Sequence, residues 1–395
     1  MELVNVSPKL NGDYSQLTVE CTRKFSRLWS RLFWLYGLQL HHDDEENNLP
    51  KWRKSVIILL PRIFAAVVII RDVILSVRLL QYEVFILFFP AMIFNTVSIF
   101  TALVLHKREE KFSALYKIIF ELALKNSDNI RQLRRYICTV ILITAIFNFS
   151  LCILIIMVVV QNDQFLTVRI LLQTEFNSYL YRVYVLCESI FYIIFSQLFL
   201  DITALYFSYM CKVLSLTFQN LNDEMECAFV FTSVLTNAKL NEFRRRYRYL
   251  LHLVEKISEN FSPLLLVWLM GLVFIFCLRV RSIKPLAGIS FPFYFALDAS
   301  YLLYIVIVIF KNSSQLLVQI RKMTGRVTEI MIASDDQVGA HEDQESVFIH
   351  CLLFSQTLND ENIGINVSGL FILSTFSFLN MASIVMTYVV VVYQS

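Results

Sequence analysis

Glu188 lies four residues after Tyr184 and four before Tyr192, so on a helix the three side chains share one face. Asp298 repeats the arrangement, four residues after Tyr294 and three before Tyr301. Rings crowd the neighbouring apolar runs at Phe85, Phe88, Phe89, Phe291, Phe293 and Phe295, and Asn148 adds a polar group in another run. An aromatic pocket with a few acids holds small amphipathic or cationic organic molecules through stacking, cation–π attraction and hydrogen bonding. The ligand-binding set is therefore Phe89, Asn148, Tyr184, Glu188, Tyr192, Phe291, Tyr294, Phe295 and Asp298. A plainer arrangement fits the same residues: an aromatic belt at a membrane interface, with the acids paired to Arg182 or hydrated. Carboxylates in apolar segments are uncommon without a purpose, so both arrangements stand.

A second pattern lies at the C-terminal end. At about 100° per residue, Asn380, Ser383, Thr387, Val391 and Gln394 fall within an arc of roughly 80°, and the opposite side is largely Val, Leu, Phe and Met. A polar stripe on an apolar helix must face water or other helices. One copy cannot enclose a pore, whereas several copies around an axis could. Hydrogen bonding between helices by Ser, Thr and Asn is the alternative.

Enzyme chemistry has no footing. No Gly-rich phosphate loop, nucleophile elbow or paired-Cys metal spacing is present, and the six histidines are dispersed, so no catalytic residue, metal or cofactor is expected. Five Asn-x-Ser/Thr matches, at Asn5, Asn148, Asn260, Asn312 and Asn366, fall in apolar or inner segments and read as accidental. The eight cysteines lie in similar segments, which argues against structural disulfides.

The elements that must position these groups are membrane helices. Hydrophobic residues make up 57% of the chain and charged residues only 17%, with mean hydropathy +0.59, which excludes a soluble domain. The net charge of +3 gives no reason to expect nucleic acid. Runs of about 20 apolar residues, enough to cross roughly 30 Å of hydrocarbon, occur near 53–75, 83–105, 136–160, 180–206, 262–280, 287–311 and 366–393. No signal peptide precedes them. Most of the 35 Lys and Arg fall in the N-terminal segment and in the connections near 106–135, 207–261 and 312–365, so the positive-inside rule predicts a cytosolic N-terminus and an outer C-terminus. The expected fold is all-α: a cytosolic segment over 1–50, transmembrane helices 1–4 over 51–206, cytosolic anchor helices over 207–261, helices 5–6 over 262–311, further anchor helices over 312–365, and a pore-lining seventh helix over 366–395. Asp201 is expected near the cytosolic end of the fourth helix, snorkelling or joining the inner bundle. Arg62 points to a shortened or tilted first helix.

Gly369-Leu370-Phe371 and the run Thr387-Tyr388-Val389-Val390-Val391-Val392-Tyr393-Gln394 closely resemble the C-terminal region of insect gustatory receptors. The resemblance extends over the chain in topology. It implies a ligand-gated, cation-conducting channel in the plasma membrane of gustatory neuron dendrites, assembled as a homo- or heterotetramer with other gustatory receptor subunits. The seventh helix would surround the pore, and a small-molecule tastant would bind among helices two to six. It places Asn380, Ser383, Thr387, Tyr388, Val391 and Gln394 in the pore helix, with Gln394 near the outer mouth. Two departures matter. The Phe that follows Gln in the family is Ser395 here, which implies a looser gate or a need for partner subunits. The sugar-sensing branch carries Glu after Thr-Tyr, and this chain has Val389, which leans toward bitter or other organic tastants. The alternatives are a sugar-sensing member, a G-protein-coupled seven-helix receptor and a transporter. The charge bias and the lack of Asp-Arg-Tyr and Asn-Pro-x-x-Tyr motifs oppose the second, and the absence of repeats opposes the third.

Overall fold

The computed structural model describes residues 28–38, 51–79, 82–125, 130–161, 178–232, 237–283, 292–335, 352 and 363–394. After a helical turn over 28–34 come α1 (Lys51–Leu79), α2 (Tyr82–Lys107), α3 (Glu109–Lys125), α4 (Ile130–Gln161) and α5 (Ser178–Tyr192). A π-helical turn (Ile193–Gln197) joins α5 to α6 (Leu198–Thr232), followed by α7 (Asn237–Ser282) and α8 (Pro292–Asp335). A small antiparallel hairpin, β1 (Asn366–Val367) and β2 (Phe371–Ile372), precedes α9 (Thr375–Gln394).

Among the described residues five helices are long and apolar enough to cross a membrane: Phe88–Lys107, Gln132–Val160, Tyr179–Ala228, Ala238–Ser282 and Pro292–Glu329. Thr375–Val391 is a shorter apolar helix. Helix α1 is not one of the five, and it carries Arg62, Arg71 and Asp72 within its length.

The helices overshoot any bilayer. With 46 residues in α7 and 44 in α8, each runs more than twice the roughly 30 Å of hydrocarbon at about 1.5 Å per residue. The apolar part of α7 is its second half, whereas that of α8 is its first half, so their charged halves meet at one end of the bundle together with the second half of α6. Helices α6 and α8 run parallel there, joined by Lys212 Nζ donating to Gln315 Oε1 at 3.1 Å and Arg326 pairing with Glu226 at 2.6 Å. Helix α7 runs antiparallel to α6, with Arg246 donating through both terminal nitrogens to Glu224 at 2.6 and 3.1 Å. These pairs are partly exposed and fix register more than they stabilise. The stability lies in α6, whose residues 201–211 are all buried. Its rings pack on every side: Tyr206 against Trp29 and Phe33, and Phe207 against Phe261, which also meets Phe112.

Two local features set how α7 meets its neighbours. Pro263 has no N–H, which leaves the Glu259 carbonyl without its helical partner. Arg108, at the junction of α2 and α3, supplies the missing donor, with Nη1 3.1 Å from the carbonyl oxygens of both Glu259 and Asn260. Eight residues on, a Cβ at Gly271 would lie 2.9 Å from Val97 Cγ2, so the absence of a side chain lets α7 press against α2.

The stretch 366–372, expected within the last membrane helix, is instead the hairpin. Apolar composition alone cannot tell the two apart, but Gly369 has φ +77° and Ser368 φ +51°, conformations that end a helix. The hairpin is clipped to α7, because Ser258 Oγ accepts from Asn366 N at 2.9 Å and Ser262 Oγ accepts from Ser368 N at 2.5 Å. Helix α9 then starts with a reciprocal cap. Ser374 Oγ accepts from Ser377 N at 3.1 Å, and Ser377 Oγ accepts from Ser374 N at 2.9 Å.

Candidate functional site

The first half of the bundle holds an open-mouthed cavity of about 90 Å³, between α1, α2, α4, α5, α7 and α8. Its wall is mostly Phe, Ala, Val and Ile side chains, with a few polar groups set among them. Glu188, Tyr192, Tyr294 and Phe295, all expected from the sequence, line it together with Phe88.

The acids are placed by arginines. Arg71 of α1 bridges to both oxygens of Glu188 on α5, one of them at 2.7 Å, and holds Asp72 Oδ1 at 2.6 Å. Asp72 and Glu188 both face the cavity. On the other side, Arg279 Nε lies 2.6 Å from Asp298 Oδ2, and both residues are about 95% buried. The Arg279 guanidinium also sits 5.6 and 5.5 Å from the ring centres of Tyr294 and Phe295. Each ion pair joins two helices, so the charges fix the cavity walls as well as colouring them. The sequence offers Arg182 as a partner to the acids. Arg182 instead donates to the Val160 carbonyl. The usable signal was that an acid inside an apolar helix requires a cation at the same depth on a neighbouring one.

Of the other expected ligand residues, Phe89, Asn148, Tyr184 and Asp298 are not on the cavity surface. Asp298 lies behind Arg279 as its counter-ion. Tyr184 is 48% exposed, its hydroxyl 3.4 Å from Arg71 Nη1. Phe89 packs edge-on against Phe274. Phe291 lies outside the described residues, as does Ser395. Asn148 is deeper, where its Nδ2 lies 3.0 Å from Asp201 Oδ2 and 2.9 Å from the Tyr301 hydroxyl. Asp201, in the first turn of α6, is therefore not snorkelling: it is 3% exposed and joined inside the bundle to α4 and α8.

Arg62 likewise has a task that shortening of α1 does not describe. In the π-helical turn the Leu198 N–H reaches back five residues to Ile193, which leaves nearby carbonyls for other donors. Tyr36 hydroxyl donates to Ile194 O at 2.9 Å, and Arg62 Nη1 donates to Phe195 O at 2.5 Å and to Ser98 Oγ at 2.7 Å. Ser196 Oγ adds a 2.6 Å bond to Asn95 Oδ1. Asn95, Phe191 and Tyr192 also line the cavity, so its floor and the turn are one structure.

The stripe on α9 faces away from the rest of the chain. Asn380, Ser383, Thr387, Val391 and Gln394 are exposed, while the opposite side, with Phe378 against Phe310, packs on the bundle. Within one chain these polar groups therefore do not bridge to neighbouring helices. Tyr388 on the same helix is half-buried, on the flank that turns toward the bundle.

No family model and no curated protein matches this sequence. Solved structures do match its fold. The insect olfactory receptor OR5 from Machilis hrabei superposes with TM-score 0.72 at 13% identity, over 97% of this chain and 99% of that one. The same receptor in complex with eugenol gives TM-score 0.73 at 11% identity, over 97% of this chain and all of the other. The chain thus shares the all-α multi-pass membrane fold of these insect olfactory receptor structures.

Proposed function

We propose that the chain is a subunit of a ligand-gated cation channel that senses small organic molecules, and that it serves as a gustatory receptor for bitter or related tastants. The observation that carries this is the polar stripe of α9, exposed on a helix whose other side is packed, in a chain that shares a full-length fold with an insect chemoreceptor solved with eugenol. Copies of this chain or related subunits, four in all, would bring that stripe to a common axis and give it water. The Thr387 to Gln394 run favours the gustatory over the odorant branch. On this reading the N-terminus is cytosolic, the charged halves of α6, α7 and α8 form a cytosolic anchor, and the cavity opens outward in the plasma membrane of a sensory dendrite.

Ligand acts by binding the open arrangement better than the closed one. The π-helical turn adjoins the cavity wall at Asn95 and Tyr192, and Ser258 and Ser262 on α7 hold the hairpin that precedes α9. The test is whole-cell current in cells expressing the chain, against a panel of plant alkaloids and sugars, with G-protein signalling blocked. A rapid cation current that survives the block, with Glu188→Ala shifting the ligand response and Gln394→Ala shifting conductance, supports the reading. A current abolished by the block sinks it.

A further inference from the structure

We infer that Arg279 is a specificity-determining donor in the cavity, and that the ligand is an apolar, ring-sized molecule bearing an acceptor oxygen, an ether or carbonyl, in preference to a protonated amine. The inference rests on the cavity being the ligand site. Arg279 lines the cavity yet is only 4% exposed. Its Nε lies 2.6 Å from Asp298 Oδ2 as an ion pair, and its planar group lies near the Tyr294 and Phe295 rings at 5.6 and 5.5 Å. Beyond that ion pair no hydrogen bond to the guanidinium is found among the described residues. A guanidinium carries five N–H donors and no acceptor, so the edge left for the cavity is the pair of terminal nitrogens.

Buried donors without partners carry a desolvation cost that a matching acceptor relieves. A forked pair of N–H groups suits an ether or carbonyl oxygen, and fixed rings beside it suit an aromatic body. A ligand ammonium at the same place would meet like charge. At the other wall the Glu188 carboxylate is already engaged at both oxygens by Arg71. The acids that first suggested a cationic ligand are thus largely spent on holding helices together, and the donor edge of Arg279 is what the cavity offers.

The test uses the full-length protein in detergent and four probes built on one benzene ring: ethylbenzene, methoxybenzene, acetophenone and benzylammonium. Binding is measured by calorimetry and ligand-evoked current is recorded in parallel. Wild type is expected to bind methoxybenzene and acetophenone about tenfold or more tightly than ethylbenzene, as for one hydrogen bond to a charged group, with benzylammonium weakest. In Arg279→Lys and Arg279→Gln the oxygen preference should fall to within about twofold, while ethylbenzene binding survives and so reports an intact cavity. Equal binding of ethylbenzene and methoxybenzene by wild type, tighter binding of benzylammonium, or no saturable binding of any probe would overturn the inference, and the wild-type comparison decides even if both variants fail to fold. Oxygen-selective binding without current would leave it standing and count against the channel. Current evoked equally by ethylbenzene and methoxybenzene would do the reverse.

Discussion

The Arg62 guanidinium lies 2.5 Å from the Phe195 carbonyl oxygen and 4.3 Å from the centre of the Phe199 ring, bracing α1 against the π-helical turn that joins α5 to α6. Arg62→Met removes a charged donor and leaves that carbonyl the Ser98 hydroxyl, 3.3 Å away, as its side-chain donor among the described residues. The expected loss is about 2–3 kcal/mol, read as a lower melting temperature in detergent, with Arg62→Lys intermediate. Unchanged melting in Arg62→Met would show that the turn holds without its brace.

Arg108 and Pro263 should be coupled energetically. Arg108→Ala strips the donor from the carbonyl that Pro263 orphans, at a cost of about 1 kcal/mol. In a Pro263→Ala background the helix regains its own N–H at that carbonyl, and the cost should nearly vanish. A double-mutant cycle on thermal unfolding measures this, and additive losses would separate the two residues.

At the α2–α7 contact, Gly271→Leu should destabilise by about 1–3 kcal/mol through overpacking, because even a Cβ would meet Val97 Cγ2 at 2.9 Å. Adding Val97→Ala should recover part of the loss. If Gly271→Leu is neutral, the helices are not pressed together as described.

Filling the cavity separates ligand from pore. Ala91 lines the wall, and Ala91→Trp should weaken ligand responses at least tenfold through loss of space, with single-channel conductance unchanged. A conductance change with normal ligand sensitivity would exchange the roles of cavity and α9.

What could be read from the sequence follows the physics of periodicity. The α9 stripe was legible because 3.6-residue spacing alone gathers Asn380, Ser383, Thr387 and Gln394, whereas Tyr388 was assigned to this helix by the resemblance and not by the spacing. Glu188, Tyr192, Tyr294 and Phe295 were legible as faces of apolar helices. Arg71 and Arg279 were not, since each pairs with an acid on another helix, Glu188 or Asp298, and spacing along one helix does not show such a partner. The π-helical turn leaves no mark in Ile193–Gln197, and the bonds of Asn148 and Arg62 join residues far apart in sequence. The hairpin at 366–372 was hidden by its apolar composition, with Gly369 the one residue that signalled it.

Thiol modification along α9 tests the central claim most directly, that this helix presents Asn380, Ser383, Thr387 and Gln394 to an ion pathway shared between subunits. Cysteine is placed at Thr387 or Val391 on the exposed stripe and at Val385 or Val389 on the packed side, and a positively charged methanethiosulfonate is applied during ligand-evoked current, with wild type as control for its own cysteines. The account predicts rapid block at 387 and 391 and little effect at 385 and 389. Block confined to 385 and 389, or absent at all four while ligand still evokes current, would contradict it.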